Sequence, residues 1–405
     1  MQQAYENINN NKLNHKIHRE YINYGTKLIF DELALTNAKD PNTGEPDKAI
    51  YKRNITFMES FLFGRVYNIL YLHTPPYHPY RPLKPDNEEY QLHMNREQLP
   101  YFHTIVEIFN ERFDSLSHDT TYKNTITYDD KYLYLHDLKF KLDSRIRYMI
   151  TYAQKKCEEY NHMSPEQALM TAHKLTIRTL LRYSSLGITG NHCSLSIDVY
   201  NYLYNNLNVR GEGFSSPLNS KLLEKDDTII CTIFGDTDKY FKSIGAFTKK
   251  TMIRYSSINW ILNPPFLTST VKLSIKSINL TLSTNRAKKL PPMTIIFVLP
   301  LTKLQHKGEI IDNEYLFGYI NKTHVHIVRE GVTIKKTERK DQAQYFICND
   351  VFSSNFDDIY MLFYTDDVDI DYPAYEKHLL AISDLWTVGM TKDLQQSLFR
   401  NPRKI

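Results

Sequence analysis

"SINWILNPPFLTSTVKLSIKSINLTLSTNRAKKLPPMTIIFVLP", residues 257–300, reads as two β-rich apolar runs with a crossover between them. SINWIL and MTIIFVLP are short and rich in β-branched and aromatic side chains. The 269–289 segment separating them is long enough for one helix, although rich in Ser and Thr. Strands joined in this way lie parallel in one sheet. The first strand ends on an amide, two prolines and an aromatic ring: Asn263, Pro264, Pro265 and Phe266. Proline fixes φ, and Pro265 also keeps Pro264 out of the helical region, so the turn is rigid and aims its carbonyls outward.

Further β-rich runs surround this unit: DTIICTIF (227–234), HVHIVRE (324–330) and AQYFICND (343–350). Strands alternating with such connections predict a mainly parallel α/β sheet. The first half reads differently. SPEQALMTAHKLTIRTLLRYSSLG (164–187) carries Ser164 as N-cap, Pro165 at the first helical position, Gln167 closing a capping box, and Gly187 past the last apolar residues. NITFMESFLFGRVYNILYLH (54–73) suits a further buried helix, and SIDVYNYLYNNLN (196–208) another. The boundary falls near residue 190. A mainly helical domain, 1–190, precedes an α/β domain, 191–405, that ends in a C-terminal extension.

The composition narrows the function. The chain has 405 residues and only 13 glycines, so it holds no Gly-rich phosphate loop. It has no run of eighteen apolar residues and a polar N-terminus, which predicts neither a signal peptide nor a membrane span. Its four cysteines, Cys157, Cys193, Cys231 and Cys348, stand too far apart for zinc-finger spacing and suit a reducing compartment. Net charge is only +4, but from Lys239 to Gly308 there are ten Lys, two Arg and no Asp or Glu. So long a block of uncompensated positive charge points to a polyanion, because Lys and Arg gain affinity by displacing phosphate counterions. Lys239, Lys242, Lys249, Lys250 and Arg254 are the candidate RNA contacts.

In a parallel α/β sheet, ligands sit beyond the carboxyl ends of the strands, where Asn263–Phe266 lie. An adenine or cytosine amino group is a poor nucleophile, since its lone pair is delocalised into the ring. The Asn263 side-chain oxygen and the Pro264 carbonyl form a rigid acceptor pair. Together they hold both N–H bonds and favour a tetrahedral nitrogen. Phe266 offers a face on which an unstacked base rests. A second string, Thr74-Pro75-Pro76-Tyr77, lacks the amide and reads as an extended polyproline-like loop.

Three stretches together, GFSSPLN (213–219), FGDTDKYFKSIGAF (234–247) and ILNPPF (261–266), resemble in order and spacing the catalytic domain of the phosphorylated-CTD-interacting factor family. These are cap-specific adenosine N6-methyltransferases, and the likeness spans about residues 180 to 350. The resemblance implies a Rossmann-like S-adenosylmethionine-dependent methyltransferase domain acting on the adenosine next to the cap of mRNA. It implies that Asn263, Pro264, Pro265 and Phe266 hold and stack the adenine, and that Ser216, Pro217, Leu218 and Asn219 form the loop under the methionine part of S-adenosylmethionine. Asp236 or Asp238 takes the ribose hydroxyls. Gly213 stands where the family has a larger residue. Animal members also carry a WW domain that binds the phosphorylated polymerase tail. With Trp260 and Trp386 as its only tryptophans, this chain reads as a minimal member, viral among its possible sources, for which tail recruitment is not implied.

The partners implied are capped mRNA beginning with adenosine and other capping or transcription factors, with no metal and no membrane. The setting implied is the nucleus or the cytoplasm, the host cytoplasm for a viral member. Two other readings stand beside this one: a DNA adenine N6-methyltransferase sharing the turn chemistry, and a catalytically inactive RNA-binding subunit of a capping complex. Among the 15 histidines, His324 and His326 come closest to ligand spacing, but alternate positions on a strand merely share a face.

Overall fold

The computed structural model describes residues 10–50 with a few gaps, 125–186 except 137, and 195–300 except 196, 266 and 267. It also describes 304–306, 309–311, 326–328, 359–365 and scattered positions elsewhere, most of them between 374 and 385. The described residues fall into two compact units, one within 1–188 and one within 189–400. The stretches 54–73, 74–77 and 343–350 lie outside the described residues.

The first unit holds helices α1 (Asn10–Thr36), α2 (Ser144–Asn161) and α3 (Pro165–Ser185). α3 begins where its cap residues predict: Ser164 accepts from the Gln167 amide at 3.3 Å, and Pro165 fills the first turn. α2 is capped by Asp143, which accepts from the Ile146 amide at 2.9 Å. α3 is buried along most of its length. Glu20 of α1 accepts from Arg182 at 2.6 Å and pairs with Arg178 at 3.6 Å.

The departure from the expected helices is a three-stranded antiparallel sheet, β1 (Ile126–Tyr128), β2 (Tyr132–Leu135) and β3 (Leu138–Lys141). Its sequence alternates with period two. Leu133, Leu135, Leu138 and Phe140 point inward, while Lys139 and Lys141 face out.

The second unit is α/β. Its sheet runs β10-β11-β7-β6-β4-β5, built from β4 (Val209–Ser215), β5 (Ile229–Thr232), β6 (Asn259–Leu262), β7 (Thr294–Pro300), β10 (His326–Val328) and β11 (Ile359–Thr365). A hairpin, β8 (Leu304–His306) and β9 (Glu309–Ile311), lies outside this sheet. The four strands β5, β4, β6 and β7 are mutually parallel. β11 runs antiparallel to both β7 and β10, so the sheet is mixed. Residues 243–245 extend it past β5, with the Thr232 amide on the Gly245 carbonyl and the Ile244 amide on the Ile230 carbonyl, both at 3.0 Å. Helix α4 (Ile197–Asn206) precedes β4. The short α5 (Gly235–Asp238) and α6 (Thr251–Arg254) follow β5. α7 (Thr268–Lys288) is the crossover from β6 to β7.

β4, with the sequence VRGEGFS, is shaped by its neighbour β6. A Cβ on Gly211 would come within 2.4 Å of the Trp260 ring, and one on Gly213 within 2.3 Å of Leu262. Both large side chains are fully buried, so the two glycines exist to receive them. A side chain at 213 would also run into Phe247, at 3.0 Å from the added Cβ.

Candidate functional site

The chain leaves β4, crosses to β5 on one side, and returns to β6 on the other, so the strand order reverses between β4 and β6. In open α/β sheets the crevice outside the carboxyl ends at such a reversal is where ligands bind. β5, β4 and β6 are adjacent and parallel, and their carboxyl ends lead directly into residues 233–238, 216–219 and 263–265. Three stretches separated by tens of residues thus open on one end of one sheet.

The turn after β4 is held by its own side chains. The Asn219 side-chain oxygen accepts from the Ser216 backbone N–H at 2.7 Å and from the Ser216 hydroxyl at 3.0 Å, while the Asn219 backbone N–H donates to the Ser216 hydroxyl oxygen at 3.1 Å. Ser216, Pro217, Leu218 and Asn219 are all buried. Below the turn sits a group that sequence reading missed. Glu212, 2% exposed, accepts from the Tyr200 hydroxyl of α4 and the Ser220 hydroxyl, each at 2.6 Å. Through these two bonds Glu212 ties the loop to α4. The signal available in the sequence was an acidic residue between two glycines on a core strand. Cys231, beside it on β5, is buried, and burial with the Glu212 charge pushes its thiol far up, which removes it as a nucleophile.

The turn after β6 is held differently. Pro264 and Pro265 are buried, and the Thr270 hydroxyl at the start of α7 donates to the Pro265 carbonyl. Asn263 is half-buried at the strand end. Phe266 lies outside the described residues. Beyond β5, Asp236 is exposed, whereas Asp238 is entirely buried in the same short helix. Next to them, a Cβ on Gly235 would meet the Gly245 Cα at 3.2 Å, and Gly245 (φ +98°) has open space where its own Cβ would stand.

The basic residues separate into two groups. Lys249, Lys250 and Arg254 are exposed around α6, and the Ser277 hydroxyl of α7 donates to the Lys249 carbonyl, which places the pair beside that helix. Lys239 stands 5.5 Å from the Tyr240 ring. Lys242 is spent internally. Its ammonium donates to the Leu223 carbonyl at 3.3 Å, to Thr228 Oγ1 at 3.2 Å and to the Lys225 carbonyl. Burial holds its pKa below the usual lysine range, partly offset by Asp226 and Asp227. A phosphate contact at Lys242 is therefore at odds with the geometry.

Among the described residues, no group of three or more His, Cys, Asp or Glu could hold a metal, and no helix is long and apolar enough to cross a membrane. Among curated proteins nothing matches the chain. Residues 150–318, from within α2 through the parallel strands and β9, match the family model described as phosphorylated CTD interacting factor 1 WW domain, which relates this part of the chain to that family.

Proposed function

We propose that the second unit is a Rossmann-like S-adenosylmethionine-dependent methyltransferase that modifies N6 of the cap-adjacent adenosine of mRNA. The observation that carries this reading is the convergence of SPLN, DTD and NPP at the carboxyl ends of β4, β5 and β6, at the reversal of strand order. The family match over 150–318 supports it.

The residues present fit S-adenosylmethionine. The rigid Ser216–Asn219 turn would lie under its methionine part. The exposed carboxylate of Asp236, rather than that of buried Asp238, would accept from the ribose hydroxyls. The open space at Gly245 leaves room beside it. When bound, S-adenosylmethionine supplies an electrophilic methyl group. The chain's own part is to present the amino group. The acceptor pair in this reading is Asn263 Oδ1 and the Pro264 carbonyl, while the Pro265 carbonyl accepts from Thr270. Holding both N–H bonds draws the nitrogen lone pair out of conjugation with the ring. Phe266 would stack the base. The basic surface at Lys249, Lys250 and Arg254 would bind the phosphates around it.

The test is methyl transfer from labelled S-adenosylmethionine to capped RNA beginning with A, capped RNA beginning with G, and duplex DNA. Label on the first alone is expected. Label on duplex DNA with none on capped RNA would replace this reading with a DNA enzyme.

A further inference from the structure

Outside the α/β unit, the outward face of the β1–β3 sheet has a composition that its role in folding does not require. In register, Thr127, Tyr134 and Lys139 form one row across the three strands, and Tyr132 and Lys141 form the next. No acidic residue stands among these five. The two rings lie 6.2 Å apart, tilted by 51°, and Lys139 places its ammonium 3.8 Å from the Tyr132 ring and 5.8 Å from that of Tyr134. Tyr134 is also fixed in orientation, because its hydroxyl donates to Asp129 at 2.7 Å. Asp129 in turn accepts from the Lys131 and Tyr132 amides at 2.7 and 2.8 Å. The Tyr134 bond and these amides hold the Asp129 carboxyl below the usual carboxylate range, so the brace persists at neutral pH.

We propose that this face, Tyr132 and Tyr134 flanked by Lys139 and Lys141, is a binding platform for single-stranded RNA. Tyr132 and Tyr134 are half-buried, and aromatic rings on the open face of an antiparallel sheet accept splayed bases by stacking while neighbouring lysines take the phosphates. Lys139 specifies the ligand class. A cationic ligand would compete with an ammonium already over the rings. A neutral base on an anionic backbone displaces that ammonium from the ring and gives it a phosphate, and the flexible lysine stem allows the move. Duplex RNA hides its base faces and gains only the charge contacts. This surface belongs to the first unit and does not depend on the methyltransferase reading.

The experiment uses the full chain and fluorescently labelled ten-nucleotide single-stranded RNA against a duplex of the same sequence, measured by anisotropy. Tyr132→Ala and Tyr134→Ala should each weaken single-strand binding by about tenfold and leave duplex binding unchanged. Tyr132→Phe, which keeps the ring, should bind as the wild type does, and this separates stacking from folding. Lys139→Glu with Lys141→Glu should lower the salt slope of single-strand binding by about 1.4, at roughly 0.7 per phosphate contact. Unchanged single-strand affinity in both alanine variants would overturn the proposal, as would equal losses on single strand and duplex.

Discussion

Two turns at the same end of the sheet each contain an asparagine, and they take their shape in different ways. Asn219, after β4, spends its side-chain oxygen on the Ser216 amide and hydroxyl. Asn263, after β6, stands in a turn whose shape comes from Pro264, Pro265 and the Thr270 bond to the Pro265 carbonyl. In the first turn the amide builds the scaffold. In the second, prolines build it, and the proposed function assigns the amide to the substrate. On that proposal the same residue type has two physical roles in two family-like stretches, which motif likeness alone does not distinguish.

The largest effect follows from the second role. Asn263→Ala should lower kcat for methyl transfer by about 100- to 1000-fold, the usual loss on removing one transition-state hydrogen-bonding group, with an unchanged melting temperature. A melting temperature that falls with the rate would make Asn263 another scaffold residue and erase the comparison. Asn219→Ala should do the reverse. Leaving the buried Ser216 amide without its acceptor costs about 1–3 kcal/mol, read as a lower denaturation midpoint. Full stability in that variant would show that the β4 turn does not need its amide.

The comparison extends to the lysines. Lys242→Met should destabilise the fold by about 1 kcal/mol and leave RNA affinity unchanged, because its ammonium serves the Leu223, Lys225 and Thr228 oxygens. Lys249→Glu with Lys250→Glu should leave stability alone and flatten the salt dependence of RNA binding, by roughly 0.7 per lost contact. An exchange of these outcomes would mean that solvent exposure does not sort the basic block.

How much of this was legible in the sequence depended on whether a local pattern dictated the structure. Ser164 and Pro165 announced α3 because capping is a short-range interaction. The apolar runs announced β5, β6 and β7, and the 269–289 crossover formed α7 despite its Ser and Thr. That helix buries Thr270, Ser274, Ser277 and Thr281, and the Thr270, Ser274 and Ser277 hydroxyls find backbone carbonyls. β4 was hidden, since its two glycines are explained only by Trp260 and Leu262 on the next strand, and its Glu212 only by Tyr200 and Ser220. The β1–β3 sheet had a period-two signal, but its tyrosines blended into a Tyr-rich helical half. The site stretches were legible as motifs. What Asn219 does, and which aspartate is exposed, required burial and hydrogen bonds.

The central claim is that the carboxyl ends of β4, β5 and β6 form one methyl-transfer site. Amide hydrogen exchange with saturating S-adenosylmethionine tests it most directly. The account predicts protection concentrated at residues 213–220 and 234–247, with added capped RNA extending it to 261–263, the last amides before the two prolines. Saturable S-adenosylmethionine binding that leaves these segments exchanging as in the free protein would contradict it.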